Sequence, residues 1–78
     1  MKELLIALAQ GLVDAPEAVT VTVDDPDAEG VVFYHLRVAQ GDMGRVIGKQ
    51  GRIAKAIRTI MKSAAIRAGE KISVEIDE

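Results

Sequence analysis

Two glycines framing two long polar side chains, Gly48-Lys49-Gln50-Gly51, form the stretch of this chain whose residue types and spacing point most directly to chemistry. Glycine has no Cβ, so a backbone built this way turns sharply and lets a ligand approach the main chain closely. Charge surrounds the pair: Arg45 precedes it, Lys49 lies inside it, Arg52 follows directly, and Lys55 comes about one helical turn later. A helix that starts just past such a turn directs free N–H groups and the positive end of its dipole at the same point. Phosphate is the ligand such a set attracts. Gln50 adds a hydrogen-bonding group for sugar or phosphate oxygens that demands no particular base.

The charge distribution agrees with that placement. Residues 1–41 carry a formal charge of −5, residues 42–71 carry +6, and residues 72–78 carry −3, which gives the net −2 of the whole chain. No acid occurs between Arg45 and Arg67. Nucleic-acid sites are local basic patches, so an acidic chain with one basic segment is compatible with such a site. A plain solvated helix face is the alternative reading of the same charges.

Other chemistries fit the residues poorly. A nucleotide-hydrolysing loop needs Gly-x-x-x-x-Gly-Lys-Ser/Thr, but Gly44 and Gly48 enclose three residues and Lys49 is followed by Gln50. A dinucleotide fingerprint fails because Val46 stands where its first glycine belongs. His35 is the only histidine and there is no cysteine, so a metal centre or a catalytic base lacks partners. Ser63 and Ser73 are the only serines, and neither sits in a nucleophile elbow. No enzymatic activity, metal, cofactor or small-molecule substrate is expected. Phe33 and Tyr34 are the only aromatics and alternate along one run, which argues against an aromatic base-stacking platform.

The elements that must hold the loop follow from hydrophobic periodicity. Leu4, Leu5, Ala7, Leu8, Leu12 and Val13 recur at helical spacing, and Asp14-Ala15-Pro16 ends that helix. Residues 18–24 alternate Val19, Val21 and Val23 with threonines, and residues 31–39 place Val32, Tyr34, Leu36 and Val38 on one face. The acidic, turn-rich 24–30 segment between them predicts an antiparallel hairpin. Asp42 is expected to cap a short helix over Met43 to Ile47, with Gly48 closing it in the left-handed region. Residues 52–68 predict a long helix burying Ile53, Ala56, Ile57, Ile60, Met61 and Ala64, with Arg52, Lys55, Thr59, Lys62 and Ile66 opposite. Gly69 stops it, and Ile72, Val74 and Ile76 alternate in a last strand. The order is α-β-β-α-α-β, an α+β arrangement in which three helices cover one face of a three-stranded sheet. The helix pair forms a crossover, so the second and third strands are expected to be adjacent and parallel.

At 78 residues, one domain spanning 1–78 is expected. The longest apolar run near the N-terminus is Leu4 to Ala9, six residues against the roughly 20 that cross a bilayer, so no membrane segment is expected and the cytoplasm is the expected location.

The stretch Val46-Ile47-Gly48-Lys49-Gln50-Gly51, continued by Arg52, Ile53 and Ile57, resembles the signature of the KH RNA-binding domains, an apolar-Ile-Gly-x-x-Gly loop between two helices. The element order resembles their type II, mainly bacterial, topology, and the likeness to the small single-domain bacterial KhpA (YlqC) type covers essentially the whole chain. The resemblance implies that Gly48 to Gly51 clamps the backbone of about four nucleotides of single-stranded RNA. It implies bases lying over an apolar groove to which Ile47 and Ile53 contribute. It implies pairing with a second copy or with a larger Jag-type KH protein, and a part in RNA metabolism, as a post-transcriptional regulator or RNA chaperone linked to cell shape. A dimerisation module with secondary RNA contact is the alternative, motivated by apolar surface positions such as Ile66.

Overall fold

The computed structural model describes residues 1–77, apart from the side chains of Lys49 and Gln50. Helix α1 (Lys2–Leu12) leads through a 3-10 turn (Pro16–Ala18) into β1 (Thr20–Val23), followed by β2 (Val31–Arg37), a helical segment α2 (Gln40–Ala68) and β3 (Lys71–Ile76). The sheet order is β1-β2-β3. β1 runs antiparallel to β2, with Val21 opposite Leu36, and β3 runs parallel to β2, with Val74 opposite Tyr34. Both expected pairings are therefore present, and α2 is the crossover between the parallel strands.

Buried residues from all five elements meet in one core: Leu5 and Ala9 of α1, Val21 of β1, Tyr34 and Leu36 of β2, Ile57 and Met61 of α2, and Val74 of β3. Period two in the strands and three-to-four in the helices bring these side chains to one side of the sheet. Tyr34 is a core residue, and burial pushes its hydroxyl pKa upward.

Several boundaries depart from the sequence reading. β1 starts at Thr20 because Pro16 opens a 3-10 turn, in which Ala18 and Val19 donate to the carbonyls of Ala15 and Pro16. β2 stops at Arg37, where its neighbours run out: Thr20 pairs with Arg37 and Ile76 with Leu36. The helix after β2 begins at Gln40, so Asp42 does not cap it. Asp42 is instead buried and accepts the backbone N–H groups of Asp14 and Ala15 at 3.0 and 3.1 Å. It thereby ties the end of α1 to the start of α2.

The two helices expected on either side of the glycine loop join as one helical segment with an internal break. Gly51 has φ 69°, a left-handed conformation that cannot carry a right-handed helix straight through. A straight helix of 29 residues would measure about 43 Å, longer than the 34 Å maximum extent of the molecule. The segment therefore divides into two arms at Gly51. The left-handed turn was expected at Gly48, which lies in the helix before it.

In the second arm the buried stripe is Ala54, Ile57, Met61 and Ala65, while Ala56 and Ile60 are exposed. Ile57 and Met61 belong to the core cluster and Ile60 is 44 % exposed, while the buried Ala54 and Ala65 bracket the core pair in sequence. Gly69, at φ 72°, ends the arm, its N–H donating to Ile66 and that of Glu70 to Ala65. No helix among the described residues is long and apolar enough to cross a membrane.

Candidate nucleic-acid interface

The break at Gly51 brings the two arms of α2 to a corner, with Gly48 on one side and Arg52 on the other. Beside it lies a concavity of about 640 Å³ lined by Gly44, Arg45, Gly48, Arg52 and Ile53. A Cβ at Gly44, Gly48 or Gly51 would meet no atom within 4 Å, so the backbone at this corner is bare toward solvent. Gly44, which was not among the site residues expected from sequence, also lines the concavity. The arm beyond Gly51 presents the positive end of its dipole to the corner.

The structure brings Arg45, Gly48, Arg52 and Ile53 together around this concavity. Ile53 is half-buried and packs against the core from the corner side, and Arg52 is exposed. Arg45 donates from Nη1 to Asp14 Oδ1 at 2.9 Å, with both side chains largely exposed. Ion pairs of this kind contribute little, so the arginine can exchange that carboxylate for a phosphate. Ile47 is 44 % exposed beside the corner, and Lys55 is exposed on the second arm, outside the concavity. The Lys49 and Gln50 side chains lie outside the described residues.

Two further cations, Arg58 and Lys62, were not among the site residues expected from sequence, although Lys62 was read on the helix side that carries Arg52 and Lys55. With Arg52 and Lys55 they recur at spacings of three, three and four, so they form a neighbouring series along one side of the second arm. That spacing was the signal that could have found them. Arg58 and Lys62 face the free edge of β3 across a smaller groove of about 320 Å³, whose other wall is Ile72, Ser73, Val74 and Glu75. Arg58 Nε donates to the Val74 carbonyl at 3.3 Å.

His35 is not among the residues lining the glycine corner; it lies on the sheet face opposite the core side chains of β2, with Glu75 of β3 as its register neighbour. Its Nε2 is 2.8 Å from Asp24 Oδ2 and its Nδ1 is 3.1 Å from Asp77 Oδ2. The hydrogen bond to Asp24 raises its pKa above the ordinary 6.5, opposed by desolvation and aided by the charges of both aspartates. Carboxylates only accept, so satisfying both ring nitrogens requires the imidazolium. No cluster of His, Cys, Asp or Glu suited to a metal ion occurs among the described residues.

Comparison with known proteins finds relatives of the same length. A Clostridium perfringens protein named RNA-binding protein KhpA is 53 % identical over 97 % of this chain and 99 % of its own length. The Listeria monocytogenes protein of that name is 47 % identical over the full length of both, and the Chlamydia trachomatis one is 45 % identical over 100 % of this chain and 97 % of its own. Among solved structures, Aquifex aeolicus Era bound to GDP and aluminium fluoride superposes with a TM-score of 0.68 at 19 % identity, over 96 % of this chain. Era in complex with a GTP analogue and nucleotides 1506–1542 of 16S ribosomal RNA gives 0.64 at 19 % identity. The chain spans 28 % of each Era chain, a likeness of fold. Residues 2–76 match the family model described as the KhpA/KhpB KH domain, and with relatives this similar over their full length, the chain belongs to that family.

Proposed function

We propose that this chain is a non-catalytic RNA-binding protein, a single KH unit over residues 1–78, that holds single-stranded RNA through the Gly48-Lys49-Gln50-Gly51 loop. The observation that carries the reading is the left-handed corner at Gly51, with open space at the Cβ positions of Gly44, Gly48 and Gly51 and with Arg45 and Arg52 beside it. Phosphates approach the uncovered main chain and the dipole end of the second arm. Arg45, Lys49, Arg52 and Lys55 neutralise their charge, Gln50 bonds backbone oxygens, and Ile47 and Ile53 give apolar contact to the bases. The relatives' name, RNA-binding protein KhpA, supports the same reading.

The test replaces Lys49→Asp and Gln50→Asp together, which sets two anions in the loop and leaves both glycines in place. In gel shifts with pooled cellular RNA, binding by the double variant is expected to disappear while circular dichroism stays unchanged. Undiminished binding would remove the loop from the site.

The partner in this reading is a second copy or a larger KH protein of the Jag type, in a cytoplasmic role in bacterial RNA metabolism. Ile66, 70 % exposed, is an apolar position that association would cover.

A further inference from the structure

Of the cations in the acid-free 45–67 segment, Arg45 is the one with an ion-pair partner among the described residues, Asp14 at 2.9 Å. The two belong to different parts of the fold. Asp14 follows the end of α1, and Arg45 lies 31 residues on in the first arm of α2. Asp42 brings them together. This buried carboxylate accepts the main-chain N–H groups of Asp14 and Ala15 at 3.0 and 3.1 Å, and it stands one helical turn before Arg45 on the same arm. The tie uses only the backbone of Asp14, which leaves its carboxylate to reach Arg45 Nη1.

The fold gains little from this pair. Both side chains are largely exposed, so solvent and salt screen their attraction, and Asp42 already fastens the same two segments. Its position matters more than its strength. Arg45 lines the concavity at the glycine corner, whereas Asp14 is not among the lining residues. The carboxylate therefore engages the guanidinium from outside the concavity and offsets its charge. A carboxylate and a phosphodiester are both anionic oxygen acceptors for a guanidinium. With both on Arg45 at once, two anions would stand on one side chain and repel each other. Because its backbone is fastened, the Asp14 carboxylate is present at a high effective concentration whatever the amount of RNA.

We propose that Asp14 is a built-in competitor of RNA phosphate for Arg45, and that this competition lowers the affinity of the glycine corner for RNA. This rests on the RNA-binding reading of the loop and adds a residue that regulates it. Each strand that binds must take Arg45 from Asp14, and each strand that leaves returns it. Removing the carboxylate charge frees Arg45 for phosphate at every encounter.

The experiment measures fluorescence anisotropy of labelled RNA dodecamers of random sequence near neutral pH. The proteins are wild type, Asp14→Asn, Arg45→Gln, Asp14→Asn with Arg45→Gln, Asp25→Asn, and the Lys49→Asp, Gln50→Asp double variant. Asp14→Asn is expected to bind RNA about two- to fivefold more tightly than wild type, the scale of one exposed ion pair. Asparagine matches aspartate in size and keeps the main-chain bonds to Asp42, so an unchanged circular dichroism spectrum is expected. In the Arg45→Gln background the same substitution is expected to change affinity by less than about 1.5-fold, because the two residues act as one coupled pair. Asp25→Asn, an equal change of net charge at an exposed position in the turn after β1, is expected to leave affinity within about 1.5-fold of wild type. Unchanged or weaker binding by Asp14→Asn, tightening that survives Arg45→Gln, or equal tightening by Asp25→Asn would overturn the role of Asp14 and leave the loop reading standing. Failure of wild type to bind, or undiminished binding by the loop double variant, would overturn the loop reading and this inference with it.

Discussion

The two glycines of the loop have different physical tasks. Gly51 supplies the left-handed turn at φ 69°, whereas Gly48 lies in the helix before it without positive φ and with open space at its Cβ position. Their alanine variants should therefore separate fold from function. Gly51→Ala is expected to cost about 1–2 kcal/mol in urea unfolding, the penalty of a Cβ in the left-handed region. Gly48→Ala is expected to stabilise by roughly 0.5–1 kcal/mol, as alanine does in a helix, while weakening RNA binding because a methyl group covers the bare backbone. If Gly48→Ala bound RNA as wild type does, close backbone approach at that position would be refuted. The sequence located the pair of glycines but assigned the turn to the wrong one. Both have the same intrinsic freedom, and only the path of the helical arms shows which one uses it.

At the scale of elements, two polar ties hold the framework of the site. Asp42 fastens α2 to the end of α1 by accepting two backbone N–H groups, and it is the one buried charged residue among those described. His35 clasps the ends of the outer strands onto the central one, since Asp24 follows β1 and Asp77 follows β3. Its register neighbours are Thr22 on β1 and Glu75 on β3, so the facing charges are all acidic. The folded-state pKa of His35 lies above 6.5, so the clasp's stabilisation is fully present below pH 6.5 and fades as pH rises through the raised value. Thermal melts of wild type and His35→Gln should differ most below pH 6.5 and converge as the pH rises through the raised pKa. A gap that widens with pH would show that the imidazolium is not the stabilising form. Neither tie was legible in the sequence. Asp42 follows a predicted strand and sits where a helix cap is expected, and the three members of the His35 clasp are 11 and 42 residues apart.

The whole molecule is electrically divided, with the basic series on α2 and the acids gathered in the N-terminal half, the 24–30 turn and the C-terminal strand. A strand of about four nucleotides meets only a few cations, each neutralised phosphate contributing about 0.7 to the logarithmic salt slope for single strands. A slope near −2 to −3 is expected in titrations from low to moderate salt. A salt-independent constant would remove phosphate contact from the mechanism. Association would present two loops and raise avidity without any new RNA contact. Sedimentation of wild type against Ile66→Asp is expected to show an associated form reduced to monomer by the charge, and a monomer in both would exclude Ile66 from pairing.

Composition, periodicity and one short motif determined the class, the element order, both strand pairings and the location of the loop. These are local properties: alternation marks a strand, three-to-four spacing marks a helix, and glycines with cations mark a phosphate-attracting turn. Tertiary structure decided what depends on contact between distant segments. It set the buried stripe of the second arm at Ala54, Ile57, Met61 and Ala65 and left Ile60 exposed, because contact with distant segments, not the helix's own apolar spacing, decides which side is covered. It turned Asp42 from a cap into a tie. It also set Arg58 and Lys62 against the edge of β3, joining residues of a helix and a strand that no spacing within either one could bring together.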